Sequence, residues 1–285
     1  MENIIRFGPA GASYSFAAEG YRHTYQMPAW LNARGLNAFE YSFGRGVNIG
    51  EASAKKIAAE AEKYDVQISV HAPYYVNFAS EEDAKVENSY RFVHDSLRAL
   101  TWFGGERCVV HTATKGKSEY KDAVARAKSR LYRLADMLSS EFPGKLVCLE
   151  TMGKRSQIGD VEDILDFCTI SPQFIPTFDF GHINSRECGV IQTKDDYRRI
   201  LDRLFTVLGE KKAKKLHVHF SKIEYSAAGE VRHLTFDDQK YGPDFAPLAE
   251  LFHEYKMSPV VICESAGTQA EDAVVMSELY GAFRR

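Results

Sequence analysis

Eight repeats of a short apolar segment followed by a longer amphipathic segment occupy this chain. The apolar segments have strand length, and those after them carry apolar residues at helical spacing, as in Leu131, Leu134 and Leu138. Nearly continuous apolar strands that alternate with helices are typical of a parallel sheet covered by helices. Eight such units in 285 residues are the count and size of a closed barrel. We therefore expect an α/β fold with a single (β/α)8 TIM-barrel domain over residues 1–285.

The predicted strands cover residues 4–7, 36–40, 66–71, 107–111, 145–150, 174–179, 214–219 and 259–264. A doubly wound open sheet is the alternative arrangement. It fits less well because the first strand ends at Gly8-Pro9, with no glycine-rich phosphate turn after it. No linker-like or low-complexity segment separates the eight units.

The composition is that of an ordinary globular protein, with 45% hydrophobic and 26% charged residues. The net charge of -3 provides no general attraction for nucleic acid, so a polyanionic substrate would need a local patch or bound cations. No apolar run approaches the ~20 residues of a membrane span. The segment Met1-Glu2-Asn3 leads directly into the first strand without a targeting signal. We therefore expect a cytoplasmic protein that does not bind membranes.

The five cysteines are scattered and show no CxxC spacing. Cys108, Cys148 and Cys263 lie inside apolar strand-like segments, where cysteine acts as a small hydrophobic residue. We expect reduced cysteines that pack in the core, in keeping with the predicted location in the cytoplasm.

The ends of the later predicted strands carry side chains that ligate metals: His71, His111, Glu150, Asp179 with His182 three residues on, His217 with His219, and Glu264. In a (β/α)8 barrel, the carboxyl ends of the strands meet at one rim, which holds the active site. Several carboxylates and imidazoles gathered there without a cation would be strongly destabilised. Mixed histidine and carboxylate ligation suits zinc or manganese. The sequence therefore predicts a metal site at the carboxyl ends of the strands.

These positions also match a known family in order and spacing. The matching motifs are His71-Ala72-Pro73-Tyr74, His111, Glu150-Thr151, Asp179-Phe180-Gly181-His182, His217 and Glu264. They resemble the endonuclease IV family of apurinic/apyrimidinic endonucleases, which belongs to the xylose isomerase-like barrels, and the resemblance spans nearly the whole chain. It implies a zinc-dependent hydrolase that cleaves damaged duplex DNA 5′ to abasic sites and acts in DNA repair.

The resemblance implies two or three zinc ions, with Mn2+ as another possible occupant. The first would be held by His71 and His111, and Glu150 would bridge it to the second. The second site would be completed by Asp179, His217 and Glu264. A third site would be formed by His182 and an Asp-x-His pair. The catalytic carboxylates would be Glu150, as the bridge, and Glu264, which would orient the attacking water or act as a base.

The third implied site departs from the family pattern. His233 is present, but Val231 occupies the position of the family aspartate and cannot ligate a metal. Either another oxygen replaces it, with Glu230, Asp237 and Asp238 nearby, or the third ion binds weakly or not at all. The resemblance also assigns no role to His219. It lies two residues after His217, so it could share the same facing and serve as a substitute ligand or a substrate contact; an ordinary structural hydrogen bond is an equally open role.

Contacts with a substrate are suggested by loop position alone. Arg45 and Tyr74 would lie near the site, and Tyr74 and Tyr75 could equally pack against the pocket wall. Further basic residues on loops at this rim are Lys115, Lys117, Lys154 and Arg155. The run of lysines at residues 211–215 precedes the seventh strand and is expected at the opposite face. An abasic nucleotide has no base to unstack, so flipping it into the pocket would cost little.

Two other interpretations remain open. A sugar isomerase or epimerase of the same superfamily would need one divalent cation, held by Glu150, Asp179, His217 and Glu264. Its two glutamates would move a proton beside the carbonyl and hydroxyl groups of a small sugar, with His182 in contact with it. His71 and His111 favour the endonuclease, whereas Val231 favours the isomerase. A metal-binding barrel without catalytic activity is the third interpretation.

Overall fold

A computed structural model describes residues 4–283 of the chain. Residues 1–3 and 284–285, the two ends of the predicted domain, lie outside the described residues. Residues 1–3 are also the segment for which the sequence predicts no targeting signal. The strands in chain order are β1 (Arg6–Pro9), β2 (Ala38–Ser42), β3 (Gln67–His71), β4 (Arg107–Val110), β5 (Ala113–Thr114), β6 (Leu146–Glu150), β7 (Gln157–Ile158), β8 (Phe174–Asp179), β9 (His217–Phe220), β10 (Ile223–Ser226), β11 (Gly229–His233) and β12 (Val260–Cys263). Eight of them are parallel and form one sheet with the spatial order β1-β12-β9-β8-β6-β4-β3-β2.

The first and last strands of this sheet, β1 and β2, approach each other and nearly close it. The Asn37 amide donates a hydrogen bond to the Phe7 carbonyl at 3.0 Å, and the Gly11 amide donates to the Glu40 carbonyl at 3.0 Å. Gly8 makes the approach possible, because a Cβ atom there would lie 1.7 Å from the carbonyl oxygen of Ala38. The predicted (β/α)8 barrel is thus confirmed.

Helices cover the outside of the barrel. They are α1 (Tyr14–Ala18), α2 (Met27–Asn32), α3 (Glu51–Lys63), α4 (Asp83–Trp102), α5 (Tyr120–Glu141), α6 (Val161–Cys168), α7 (Phe180–Arg186), α8 (Lys194–Ala213), α9 (Ala246–Glu254) and α10 (Gln269–Gly281), with a short 3-10 turn at Thr24–Gln26. Their apolar faces are buried at helical spacing, as Leu131, Leu134 and Leu138 of α5 illustrate. Within residues 4–283, no helix combines the length and apolar character required to cross a membrane.

Small and branched apolar side chains fill part of the barrel interior. One inner cluster contains Val109, Cys148 and Ile175, and another contains Ala38, Val260 and Ile262. The predicted packing role of Cys108, Cys148 and Cys263 is confirmed, since all three are buried and free.

Two strand predictions differ from the structure in ways that affect the site. The seventh barrel strand begins at His217 instead of residue 214, because hydrogen bonds from Lys215 to Lys212 and from Leu216 to Ala213 extend the end of α8 into a turn. The second strand continues to Ser42, two residues past the predicted end at Glu40. Glu40 is therefore inside the barrel and not at its rim.

Candidate metal centre at the carboxyl ends of the strands

The first group of candidate ligands contains His71, His111 and Glu150, which stand at the ends of three neighbouring barrel strands. The Nε2 atoms of His71 and His111 lie 3.2 Å and 2.9 Å from the same oxygen, Oε2 of Glu150. The Nδ1 atom of His71 lies 2.8 Å from the Ala72 carbonyl, which fixes the ring so that Nε2 faces the group. The structure thus brings the three predicted ligands of the first zinc site together.

The second group shares Glu150 with the first and adds Asp179, His219 and Glu264. The Nδ1 atom of His219 lies 3.0 Å from Oε1 of Glu150 and 3.4 Å from Oε1 of Glu264. Glu150, Asp179 and His219 are fully buried, whereas the side chain of Glu264 is 18% exposed. Glu264 is therefore the member of this group that solvent or a substrate can reach.

His217, which the resemblance implies as a ligand of the second site, lies one layer deeper in the barrel. Strand register explains the difference, because His219 pairs with Asp179 at the rim, whereas His217 pairs with Thr177 below it. His217 Nε2 contacts Glu40 Oε2 at 3.1 Å. The two histidines share one face of β9, as expected, but His219 and not His217 joins the second group, and His217 forms a separate candidate group with Glu40 and His219.

The third group contains His182, Glu230 and His233. His182 Nε2 lies 3.6 Å from Oε2 of Glu230, and His233 Nε2 lies 3.9 Å from Oε1 of the same carboxylate. Val231 is 50% exposed and points away from the group. Glu230, one of the oxygen donors considered from the sequence, therefore supplies the carboxylate of this group. The Asp238 carboxylate instead accepts hydrogen bonds from the Lys240 and Tyr241 amides in its own turn.

A β-bulge brings Glu230 into this group. In the β10–β11 hairpin, Tyr225 pairs with Glu230 and Glu224 pairs with Arg232, so Val231 is an extra, unpaired residue. Side chains alternate between faces along a regular strand, but one inserted residue shifts the alternation. Glu230 and His233 consequently face the same side.

The hairpin is held against the loop after β6. The Glu230 amide donates a hydrogen bond to the Gly153 carbonyl at 3.1 Å. A Cβ atom on Gly153 would lie 2.7 Å from Glu230 Cβ and 2.9 Å from His182 Cδ2. Glycine at this position therefore lets the carboxylate and the imidazole approach each other.

The Asp179-x-x-His182 motif spans the junction between β8 and α7. Asp179 is the N-cap residue of α7, and its Oδ1 accepts a hydrogen bond from the His182 amide at 2.7 Å. The other oxygen, Oδ2, lies 3.2 Å from His182 Nδ1 but has no hydrogen-bond partner within residues 4–283. The cap thus orients a buried carboxylate oxygen toward the second and third groups.

Without cations, these groups perturb one another's pKa values. Burial lowers the pKa of His71, but its hydrogen bond to Glu150 and the surrounding carboxylates raise it overall to about 9. Burial opposes ionisation of Glu150, yet the imidazoles of His219 and His111 hold its pKa well below the usual range. Burial raises the pKa of Glu264, and the carboxylates of Glu150 and Asp179 add to that effect. The metal-free arrangement is therefore neutralised by protons on imidazoles.

These donors fit divalent cations. In each group, ligand atoms from every member lie within 4.8 Å of one another, and Asp179 Oδ2 is a buried oxygen without a partner among residues 4–283. Imidazole with carboxylate is the ligand chemistry of zinc, and manganese accepts it as well. The groups overlap, since Glu150 belongs to both the first and the second.

The residues predicted to contact a substrate lie on the rim. Tyr74 is 58% exposed, its ring centroid is 6.5 Å from that of His111, and its amide donates to the Gly44 carbonyl at 3.2 Å. Arg45 is exposed on the same loop as Gly44. Tyr74 stands beside the first group and Arg45 lies on the loop that Tyr74 contacts, and contact with a substrate stays a prediction for each.

Glu40 was not recognised from the sequence. It ends the second predicted strand, so the rule that selected His71 and Glu150 also selects it. Glu40 is fully buried, and its carboxylate lies between His217 and His219.

The fold and the rim of ligand groups define the chain as a (β/α)8-barrel protein with a candidate metal centre. It belongs to the xylose isomerase-like TIM barrel family, whose sequence profile matches residues 28–279.

Relatives of this chain include proteins with and without an assigned activity. It is 32% identical to an uncharacterized protein of Methanocaldococcus jannaschii, over 98% of both chains. It is 30% identical to a probable endonuclease 4 of Streptomyces avermitilis over 61% of this chain, and 25% identical to a probable endonuclease 4 of Mycoplasmoides gallisepticum over 69%. Those two matches span 57% and 63% of the relatives' own lengths.

Solved structures with the same fold include one named as epimerase-like and one named as an endonuclease. A D-tagatose 3-epimerase-like protein is similar with a TM-score of 0.71 at 20% identity, covering 98% of this chain and 97% of that one. Endonuclease IV from Thermus thermophilus is similar with a TM-score of 0.68 at 19% identity, covering 98% of both chains. At these identities the likeness shows the fold alone.

Proposed function

We propose that this protein is a metal-dependent phosphodiester hydrolase that cleaves duplex DNA 5′ to abasic sites. One observation carries the proposal: three groups of ligands lie at one rim, and the first and second share Glu150. A single-cation enzyme would need only the second group. Five further candidate ligands would then have no role in metal binding: His71, His111, His182, Glu230 and His233.

Bound divalent cations would supply Lewis acidity and offset the charge of the phosphodiester. The protein's own side chains position the reacting groups. Glu150 presents one oxygen to the imidazoles of the first group and the other to His219 in the second. Glu264 is the partly exposed carboxylate beside them, where it could orient an attacking water or accept its proton.

The rim offers polar and aromatic side chains to a DNA duplex despite the net charge of -3. Exposed Tyr74 stands beside the first group with Arg45 on the neighbouring loop, and Lys154 and Arg155 are exposed on the loop that supports the third. Contacts of this kind with phosphates and sugars position a duplex without reading its sequence. Because an abasic nucleotide lacks a base, it could enter the pocket at low unstacking cost.

Sugar epimerisation is the second candidate, and the geometry of the second group favours it. Glu150, Asp179, His219 and Glu264 by themselves form a complete set for one divalent cation, with two glutamates on either side of His219. In that case a ketose would lie where the phosphodiester is proposed, and the two glutamates would exchange a proton with it.

The decisive experiment uses a duplex with one abasic-site analogue and a label at the 5′ end of the damaged strand. Protein loaded with zinc should cut 5′ to the lesion and leave an undamaged duplex of the same sequence intact. The Glu264→Gln variant preserves side-chain shape but cannot accept a proton, so it should cut at least about 100-fold more slowly. A control variant, Glu62→Gln, lies on the exposed surface near the end of α3, at the opposite face of the barrel, and should cut normally.

The same preparations distinguish the two candidates. Metal analysis of the purified protein should give two or three zinc ions per chain for the hydrolase, and one exchangeable manganese or magnesium ion for the epimerase. If metal-loaded protein leaves the abasic duplex intact but epimerises a ketose, the proposed hydrolase activity is wrong.

A further inference from the structure

A polar layer lies inside the barrel, directly below the candidate metal centre. It contains Glu40, Ser69, Thr177 and His217, each at most 2% exposed. Strand register places Glu40 beside Ser69, and Thr177 beside His217. Barrel interiors are usually filled with branched apolar side chains, and a buried carboxylate is costly unless it is paired. A buried glutamate in this layer therefore indicates a specific role for its carboxylate.

The two oxygens of Glu40 have different partners. Oε2 accepts a hydrogen bond from Ser69 Oγ at 2.8 Å and lies 3.1 Å from His217 Nε2. Oε1 lies 2.9 Å from His219 Nε2. Neither Glu40 Oε1 nor His219 Nε2 has a hydrogen-bond partner within residues 4–283, so the two atoms are in contact at 2.9 Å without hydrogen-bond alignment. Because Ser69 and His217 hold Oε2 within the layer, Oε1 remains directed at His219.

His219 thus connects the polar layer with the metal centre. Its Nδ1 faces Glu150 and Glu264 in the second ligand group, and its Nε2 faces Glu40. A neutral imidazole carries one proton, and a nitrogen that binds a metal must be free of it. For Nδ1 to ligate, the proton has to reside on Nε2, next to the Glu40 carboxylate.

We propose that Glu40 is a positioning residue that sets the tautomer and ring orientation of His219 for cation binding in the second ligand group. The proposal rests on the metal centre of the proposed function but not on the identity of the substrate. A carboxylate that accepts the distal N–H of a metal-ligating histidine fixes the ring and increases its basicity as a ligand. Ser69 and His217 hold Glu40 in turn.

Metal binding tests the proposal directly. Glu40→Gln keeps the size of the side chain but replaces a carboxylate oxygen with an amide nitrogen that donates to His219. Competition with a chromogenic chelator should show one zinc ion bound about 10- to 100-fold more weakly, with the other ions unaffected. Glu40→Asp, which restores the carboxylate, should recover part of that affinity.

A matched control lies in the same layer. Thr177 Oγ1 has no hydrogen-bond partner within the described residues, so Thr177→Val keeps shape and burial and removes no contact with Glu40. It should bind zinc as the unmodified protein does. Urea unfolding of the metal-free variants shows whether the substitutions disturb the fold itself.

The tautomer of His219 is a second observable, and it would not change if the role of Glu40 were purely structural. In zinc-loaded protein labelled with 15N-histidine, two-bond 1H–15N correlations should place the His219 proton on Nε2. In Glu40→Gln that signal should become a mixture or move to Nδ1. Neither measurement depends on DNA cleavage, so failure of the nuclease assay and failure of this proposal are separate results.

Three outcomes would overturn the proposal. The first is a Glu40→Gln protein with unchanged zinc affinity and His219 tautomer, even if it unfolds more easily. The second is a protein that binds no divalent cation at the second group. The third is an additional zinc ion that is lost in both Glu40→Gln and His217→Gln, which would make Glu40, His217 and His219 a cation site of their own.

Discussion

Glu230 and His233 direct their side chains to the same ligand group although they are three positions apart on one strand. A regular strand would place residues with this spacing on opposite faces. The bulge at Val231 removes the conflict by adding one unpaired residue between them. Glu230 can thereby offer the carboxylate that Val231 lacks.

This relationship predicts that Glu230 decides whether the third cation binds. Glu230→Gln removes the negative charge from the third group, so zinc analysis should show one ion fewer per chain, with the other two retained. Val231→Asp is the matched control, because residue 231 is half exposed and points away. An aspartate there should leave the zinc content unchanged. Tighter zinc binding by Val231→Asp would contradict the assignment.

Gly153 should be required for the same site for a steric reason. In Gly153→Ala, the new methyl group would lie 2.7 Å from Glu230 Cβ and 2.9 Å from His182 Cδ2, so these side chains would have to separate. We expect loss of the third zinc with little change in the first two, as measured by metal analysis and chelator competition. Gly46→Ala is the control, because its nearest neighbouring atom would be 3.8 Å away. Equal zinc contents in the two variants would contradict the prediction.

Cation binding should release protons near neutral pH. In the metal-free protein the pKa of His71 is raised to about 9, whereas a ligating imidazole must be deprotonated at the nitrogen that binds. Zinc affinity should therefore increase with pH until about 9 and then level off for this group. Calorimetric titrations in buffers of different ionisation enthalpy measure the protons released. His71→Asn should release fewer, and binding enthalpies that do not depend on the buffer would exclude the effect.

The same pKa shift bears on the metal-free fold. Because the pKa of His71 is raised from 6.5 to about 9, its protonated form contributes stability that is fully present below about 6.5. That contribution is lost as the pH rises through about 9. Urea midpoints of the metal-free protein and of His71→Asn should therefore converge over this range.

Closure of the barrel should depend on Gly8. A methyl group on this residue would overlap the Ala38 carbonyl oxygen at 1.7 Å, and β1 and β2 could not keep their spacing. Gly8→Ala should reduce the free energy of unfolding by about 3 kcal/mol or more, measured by urea denaturation with zinc removed. Gly281→Ala, where a Cβ atom would meet no atom within 4 Å, should change it by less than about 0.5 kcal/mol. Similar values for both variants would mean that the edge strands can separate freely.

Much of the site was predictable because a parallel barrel converts sequence position into spatial position. His71, Glu150 and Asp179 end their strands both in the predicted and in the observed structure. Their convergence with His111 and Glu264 follows from the fold alone, since the carboxyl ends of all eight strands meet at one rim. Glu40 also ends a predicted strand, but it was not predicted as a site residue. Because β2 extends to Ser42, Glu40 lies one layer deeper than the other strand ends.

The amino-acid sequence by itself determined the eightfold alternation, the barrel and most of the ligand types, because these depend on periodicity and on which residues end each strand. Tertiary structure alone places His219 and not His217 beside Glu150 and Glu264, since both share one face of β9 and only the pairing of His219 with Asp179 sets their height. Tertiary structure also brings Glu230 instead of Val231 to the third group, through the bulge in the β10–β11 hairpin. A bulge arises from the pairing of two strands, so the residue spacing within one strand does not reveal it.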